Sequence, residues 1–273
     1  MCLKPEQSNF RNFLFRFVFI LIILFSGLSC THDQNWSLVW SDEFKNTGLP
    51  DSTKWGYDVG GNGWGNNELE YYTKSCPENA RIENGKLIIT AIKENYGGIN
   101  YTSARLKTQG KASWKYGKIE ALIKLPYGKG IWPAFWMLGN RFSTVGWPAC
   151  GEIDIMEMVG GTKGNNTIHG AVHWGKNGHA SDVGKTSLSS GIFADDFHIF
   201  AIEWDQQYIK WFLDGTMYHT IDITPDGLSE FHEEFFIILN LAVGGNWPGD
   251  PDATTVFPQT MEVDYVRVYS LSN

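Results

Sequence analysis

The stretch Gly151–Met158 reads Gly-Glu-Ile-Asp-Ile-Met-Glu-Met and places three carboxylates in an otherwise apolar run. Successive side chains of a strand point to opposite faces, so Glu152 and Asp154 share one face and the two isoleucines lie on the other. Strict alternation would turn Glu157 into the hydrophobic layer, where an unpaired charge costs several kcal/mol. A one-residue β-bulge around residues 155–156 shifts the phase and returns Glu157 to the shared face. We therefore predict a bulged strand with all three acids on one side.

This arrangement of acids is suited to cleaving glycosidic bonds. Glu152 and Glu157 lie about 10 Å apart along the strand, at roughly 3.3 Å per residue less the bulge. On a concave sheet their carboxyl groups can approach the roughly 5–5.5 Å at which one attacks a sugar and the other protonates the leaving oxygen. Asp154 can hydrogen-bond Glu152 and keep one glutamate ionised and the other protonated near neutral pH. The alternative is an exposed strand with solvated acids, which the apolar run disfavours.

The composition fits one large all-β domain. The chain has 273 residues, of which 42% are hydrophobic and 19% charged, so a substantial core is available. Aromatic residues reach 15%, more than a core needs, and several rings are expected to face a ligand. The formal net charge of −8 argues against a nucleic-acid partner. We expect a monomer.

The first 29 residues are predicted to be a signal peptide. Arg11 and Arg16 precede an apolar run, Phe17–Phe25, that is shorter than the about 20 residues of a membrane span. Cys30 follows small residues as at a bacterial lipoprotein cleavage site, although Gly27 stands where such sites usually have Leu. We expect export, as a lipoprotein of the outer membrane or periplasm or as a secreted protein, with membrane contact only through the anchor. Residues 30–36 would form a short tether and residues 37–273 a single domain.

Alternating segments and turn signals predict many short strands. Asn84-Gly85 and Asp214-Gly215 are typical of two-residue hairpin turns. Phe235–Val243 is a continuous apolar run, which indicates a strand buried on both faces. The predicted architecture is an antiparallel β-sandwich of jelly-roll type, with a concave sheet forming an open groove. Cys76 and Cys150 could pair or stay free.

The chain resembles glycoside hydrolase family 16, and within it the bacterial laminarinase-type endo-β-1,3-glucanases. The resemblance covers Trp36 to Ser270. Its signatures are Trp40–Phe44, Asn66–Tyr72, Gly130–Trp136, Gly151–Glu157, His169–Trp174 and Asn240–Pro248. It implies hydrolysis of internal β-1,3 bonds in laminarin-like β-glucans by double displacement, without a catalytic cofactor. By the same resemblance Glu152 is the nucleophile, Glu157 the acid/base and Asp154 the assisting carboxylate.

The resemblance also implies groove residues. Trp132, Trp136 and Trp147 are predicted sugar platforms, because the axial hydrogens of a β-glucosyl ring form an apolar face that stacks on indole. Trp247 is expected to close one groove wall. Core packing is the alternative for Trp132, Trp136 and Trp147.

Three polar residues, Asn67, Arg105 and His173, resemble family groove residues that hydrogen-bond sugar hydroxyls or the reacting carboxylates. For these residues the alternative is that they only satisfy buried backbone groups.

A structural Ca²⁺ is a further implication of the resemblance. Asp264 matches the acid, and the backbone of Glu43 and Gly85 would supply oxygen ligands of the kind that Ca²⁺ prefers.

Other functions fit the same fold. A non-catalytic, lectin-like β-glucan-binding protein can share the sandwich, since fold alone does not give function. The presence of both glutamates favours catalysis. Among enzymes, a mixed-linkage β-1,3-1,4-glucanase or another β-glycan hydrolase of the family is the alternative.

Overall fold

The computed structural model describes residues 35–161, 164–175 and 178–272. The predicted signal peptide and Cys30 lie outside these ranges. Within them the first strand begins at Trp36, the last residue of the predicted tether. None of the helices in the described ranges has the length and apolar character that a membrane span requires.

In the described ranges, seventeen strands form two sheets. In chain order they are β1 (Trp36–Asp42), β2 (Gly56–Asp58), β3 (Glu70–Tyr72), β4 (Ala80–Glu83), β5 (Lys86–Tyr96), β6 (Ile99–Ser103), β7 (Arg105–Lys107), β8 (Gly117–Lys124), β9 (Ile131–Gly139), β10 (Glu152–Glu157), β11 (Thr167–Trp174), β12 (Ala180–Ser187), β13 (His198–Trp204), β14 (Tyr208–Leu213), β15 (Thr216–Asp222), β16 (Phe235–Val243) and β17 (Gln259–Leu271). The helices of the described ranges are short: a one-turn α1 (Phe142–Val145) and a 3₁₀ segment, Asp226–His232.

The two sheets pack face to face, as the predicted jelly-roll sandwich requires. One sheet has the order β15-β14-β13-β8-β17-β5-β6-β3, with β1 beside β17 and β4 beside β5. The other has the order β12-β11-β10-β9-β16-β7-β2 and carries the acidic strand near its centre. Neighbouring strands are antiparallel except for β3 and β6. Apolar side chains from both sheets form one continuous core between them.

Both predicted hairpins are confirmed, and their turns explain the choice of residues. Asn84 and Gly85, between β4 and β5, have φ of 53° and 75°. Asp214 and Gly215, between β14 and β15, have φ of 48° and 78°. Two successive positive φ angles define the tight turn that matches the twist of the flanking strands, and Asn-Gly and Asp-Gly tolerate it best.

The predicted bulge in β10 is confirmed by the registers on both of its sides. Against β9, Asp154 lies opposite Trp136 and Met156 opposite Phe135, so residue 155 is extra. Against β11, three steps along β10 match two steps on its partner between Asp154 and Glu157. The side chains of residues 153, 155 and 156 lie in the core. The three acids therefore share the opposite face, as the phase argument requires.

Candidate active site

A groove with a volume of about 670 Å³ lies over the sheet that contains β10, on the face that is turned away from the core. Its floor consists of alternate residues of five neighbouring strands, which is the pattern that one face of a sheet presents. These include Arg105 and Lys107 of β7, Trp132, Ala134, Trp136 and Leu138 of β9, the three acids of β10, His169, Ala171 and His173 of β11, and Phe236, Ile238, Asn240 and Ala242 of β16. Trp64 and Glu68 reach the groove from the glycine-rich loop before β3.

The three carboxyl groups of β10 all line this groove and influence one another. Burial raises the pKa of Asp154 to about 8. It also raises the pKa of Glu157 to about 8, and the charge of Asp154 adds to the effect. The pKa of Glu152 lies well above its usual range, first because of burial and then because of Asp154. Asp154 thus lies close enough to raise the pKa of both glutamates.

One hydrogen bond from Trp132 and the positive charge of a protonated His173 offset part of this repulsion. Nε1 of Trp132 donates to Oε1 of Glu157 at 2.9 Å, which lowers the pKa of that carboxyl. Nε2 of His173 lies 3.2 Å from Oδ2 of Asp154 and 3.8 Å from Oε1 of Glu152. The charge of His173 lowers the pKa of both Glu152 and Glu157. His173 thus touches the carboxylates, as its place opposite Glu152 in the β10–β11 register dictates.

Exposed indoles flank the acids on both sides. Trp247, 45% exposed, meets Trp132 edge to face at 5.6 Å between ring centroids and His169 at 4.9 Å. Trp147, 47% exposed, packs on His179 at 4.8 Å. The structure therefore places the four predicted tryptophans on the groove, and the alternative of core packing does not apply to Trp147.

Arg105 and Trp136 form a rigid part of the floor. The guanidinium of Arg105 lies 4.7 Å from the ring of Trp136 and 5.0 Å from that of Trp64, and its Nε is 3.0 Å from Asp58. Nε1 of Trp136 donates to Oδ1 of Asn240 at 2.7 Å. The amide of Asn240 in turn donates to the hydroxyl of Tyr72, which donates to Glu68. This chain of polar contacts was not predicted, because its members come from distant signatures.

The structure differs from the prediction at Asn67. Its amide donates to Oδ1 of Asn246 at 2.8 Å, whereas the neighbours Asn66 and Glu68 line the groove. Asn67 adopts a left-handed conformation, with φ of 56°, within a turn. Since the strand begins only at Glu70, a regular alternation of side chains does not extend back to this position.

The remaining predictions concern cysteines and calcium. Cys76 and Cys150 are both free thiols. Both carboxylate oxygens of Glu43 bind Arg267, at 2.9 and 2.8 Å, so a cation beside Glu43 would rely on its backbone oxygen, as predicted. The calcium site of Asp264, Glu43 and Gly85 stays a prediction.

Comparison with known proteins agrees with the geometry. Residues 67–267 match the family described as glycosyl hydrolases family 16. A beta-glucanase of Rhodothermus marinus is 44% identical over 288 residues, which cover 98% of this chain and 99% of that protein. The clotting factor G alpha subunit of Tachypleus tridentatus is 45% identical over 255 residues, which cover 92% of this chain but only 36% of that protein. The solved laminarinase catalytic domain of Thermotoga maritima is 49% identical with a TM-score of 0.81, covering 88% of this chain and all of that domain.

Proposed function

We propose that this chain, which belongs to the glycosyl hydrolases of family 16, is a retaining endo-glycoside hydrolase that cleaves internal β-1,3-glucosidic bonds of laminarin-like β-glucans. The observation that carries this function is the bulged strand β10, which presents Glu152, Asp154 and Glu157 together in the groove. The likeness to beta-glucanases and laminarinases over nearly the whole domain supports the substrate class.

In the first step a carboxylate oxygen of Glu152 forms a bond to the anomeric carbon while the glycosidic C–O bond breaks. The leaving oxygen takes the proton of Glu157. This acid is suited to the step because its pKa, raised to about 8, keeps it protonated at neutral pH. The product is a covalent glycosyl ester on Glu152 and a free hydroxyl on the departing chain.

In the second step Glu157, now a carboxylate, takes a proton from water while the water oxygen attacks the anomeric carbon. The ester bond to Glu152 breaks and the nucleophile is restored. Two inversions give net retention, so the product is the β-anomer.

Asp154 influences the protonation of both glutamates in the same direction. Its charge would raise the pKa of both, so Glu152 ionises more readily when Asp154 holds a proton. The pKa of Asp154, about 8, allows that proton at neutral pH. His173 favours the ionised form of Glu152 as well. A double displacement requires an ionised nucleophile and a protonated acid at the same pH, so the loss of the proton on Glu152 is a condition for the first step.

Proton NMR of the first products from laminarin tests the function and the mechanism together. We expect new reducing ends that appear as the β-anomer before mutarotation. The α-anomer appearing first would mean inversion, and no new reducing ends would favour a binding protein. Parallel digests of lichenan, agarose and carrageenan distinguish the β-1,3-specific activity from the mixed-linkage and galactan alternatives.

The Trp132→Phe variant should move the alkaline limb of kcat/KM to higher pH. The change keeps an aromatic ring but removes the donor that lowers the pKa of Glu157, so the acid should hold its proton to a pH above about 8. A shift of about 0.5–1 pH unit corresponds to one hydrogen bond to a charged group. Trp247→Phe is the control, because the Trp247 ring packs on Trp132. An alkaline limb that moves equally in both variants would contradict this role.

We also propose that the chain is exported and anchored through acylated Cys30. The support is the sequence of residues 1–30 alone. The native product should partition into detergent, and Cys30→Ser should release it into the aqueous phase, because the multiple acyl chains of a bacterial lipoprotein hold firmly. A native product found in the medium without Cys30 would refute the anchor.

A further inference from the structure

The imidazole of His179 lies beside His173, on the side away from the carboxylates. Nδ1 of His173 lies 2.7 Å from Nε2 of His179, and the two rings are stacked with an interplanar angle of 21°. His179 is an exposed residue of the segment between β11 and β12, and its ring packs on Trp147. The ring centroid of Trp147 also lies 6.3 Å from that of His173. His179 therefore connects an exposed groove wall to the ring that touches Asp154 and Glu152.

We propose that His179 is a positioning residue for hydrolysis: by hydrogen bonding to Nδ1 of His173, it keeps Nε2 of that ring turned toward Asp154 and Glu152. This inference rests on the proposed function of the carboxylates. An imidazole suits the task because its Nε2 can donate or accept, depending on the tautomer. His179 can therefore satisfy Nδ1 of His173 whether that ring is neutral or carries a second proton.

The titratable groups around His173 come from two elements of the described structure. Strand β10 supplies Asp154 and Glu152 at the distances given above and, farther along, Glu157. The segment after β11 supplies His179, whose pKa is lowered by burial and by the charge of His173. At neutral pH His179 is thus the neutral partner, and it can accept a hydrogen bond from Nδ1–H of a protonated His173.

Loss of the hydrogen-bond acceptor on His179 should also raise the pKa of the nucleophile, Glu152. A hydrogen bond to the charged form of a group favours that form, so without it His173 holds its second proton less well. The charge of His173 lowers the pKa of Glu152. With less of that charge, Glu152 ionises only at higher pH. The acid limb of kcat/KM, which reports ionisation of the nucleophile, should move in the same direction.

Two substitutions separate the hydrogen bond from the packing. His179→Phe keeps a ring beside Trp147 but cannot bond to His173. His179→Gln offers a donor and an acceptor to His173 but lacks a ring. Circular dichroism and thermal melting of both variants establish that each is folded.

For His179→Phe on laminarin we expect kcat to fall roughly tenfold, as a modest misplacement of a reacting group implies. The acid limb of kcat/KM should move to higher pH by about 0.5–1 unit, with KM unchanged. For His179→Gln we expect the acid limb of the wild type and a higher KM, because the support of Trp147 is weakened. ¹⁵N spectra of the imidazole rings should show the titration midpoint of His173 moving down in His179→Phe and returning toward the wild type in His179→Gln.

Two results would overturn the proposal: an unmoved acid limb and kcat in His179→Phe, or equal losses in both variants, which would indicate packing alone. Failure of the proposed function is a separate result, in which the wild-type protein releases no reducing ends from laminarin. In that event the ¹⁵N titration still decides the proposal, since an unmoved His173 midpoint in His179→Phe shows that the contact does not govern the ring.

Discussion

Glu152→Gln should abolish the turnover of laminarin, with a loss of at least about 10⁴-fold in kcat, because an amide cannot form the glycosyl ester. Gln has nearly the shape of Glu, so the groove and its indoles should remain in place. Binding of laminari-oligosaccharides, measured by calorimetry, should persist. A buried carboxyl whose pKa is raised also costs less to fold when it is replaced by a neutral amide, so the variant should melt no lower than the wild type near neutral pH.

Glu203→Gln is the matched control, since Glu203 lies in β13 of the other sheet. It should keep wild-type activity. If Glu152→Gln retained more than a few per cent of the wild-type rate after contamination had been excluded, the nucleophile would have to be another residue.

Glu157→Ala should separate the two halves of the reaction. On laminarin the general acid is missing, and the rate should fall by about 10²–10⁴-fold. On an aryl β-glycoside with a good leaving group, such as dinitrophenolate, the glycosyl ester should still form, because that group departs without a proton. The second step then lacks its base and becomes limiting.

Azide should restore turnover of the aryl substrate by Glu157→Ala, because an anion can attack the ester without losing a proton. The product should be a β-glycosyl azide, identified by NMR. Asp154→Ala is an informative comparison, since it removes a neighbouring carboxyl but leaves the acid/base in place. An α-glycosyl azide, or no azide effect on the aryl substrate, would exclude Glu157 as the acid/base of a double displacement.

The bulge of the central strand could be predicted from sequence because the alternative, a regular strand, would be strongly destabilising. Any regular strand over Glu152–Glu157 would bury one charge in the core, and only a bulge avoids this. Turn chemistry was equally decisive at Asn84-Gly85, where few other residue pairs tolerate two positive φ angles. In both cases a local physical rule left one solution.

Contacts between distant segments could not be predicted in this way. Tyr72 and Asn240 meet through a hydrogen bond although 168 positions separate them. His179 lies outside the family signatures, and only the approach of its segment to β11 shows what it touches. The prediction for Asn67 differs from the structure for a related reason, since the conformation of its turn determines which side chains of residues 66–68 line the groove. Such details depend on how loops pack, and loop packing has no periodic signal.

The three raised carboxyl pKa values in the groove have a consequence for the protein as a whole. In the unfolded chain these groups would ionise near pH 4, whereas Asp154 and Glu157 in the fold hold their protons to about pH 8. Between those limits the folded state binds more protons than the unfolded state, so the free energy of unfolding falls as the pH rises. The acids that equip β10 for catalysis therefore oppose its folding, most strongly on the alkaline side. Pairing with β9 and β11 must hold β10 against that tendency. We therefore expect the enzyme to lose conformational stability as the pH rises toward about 8, and acid catalysis when the pH rises above that value.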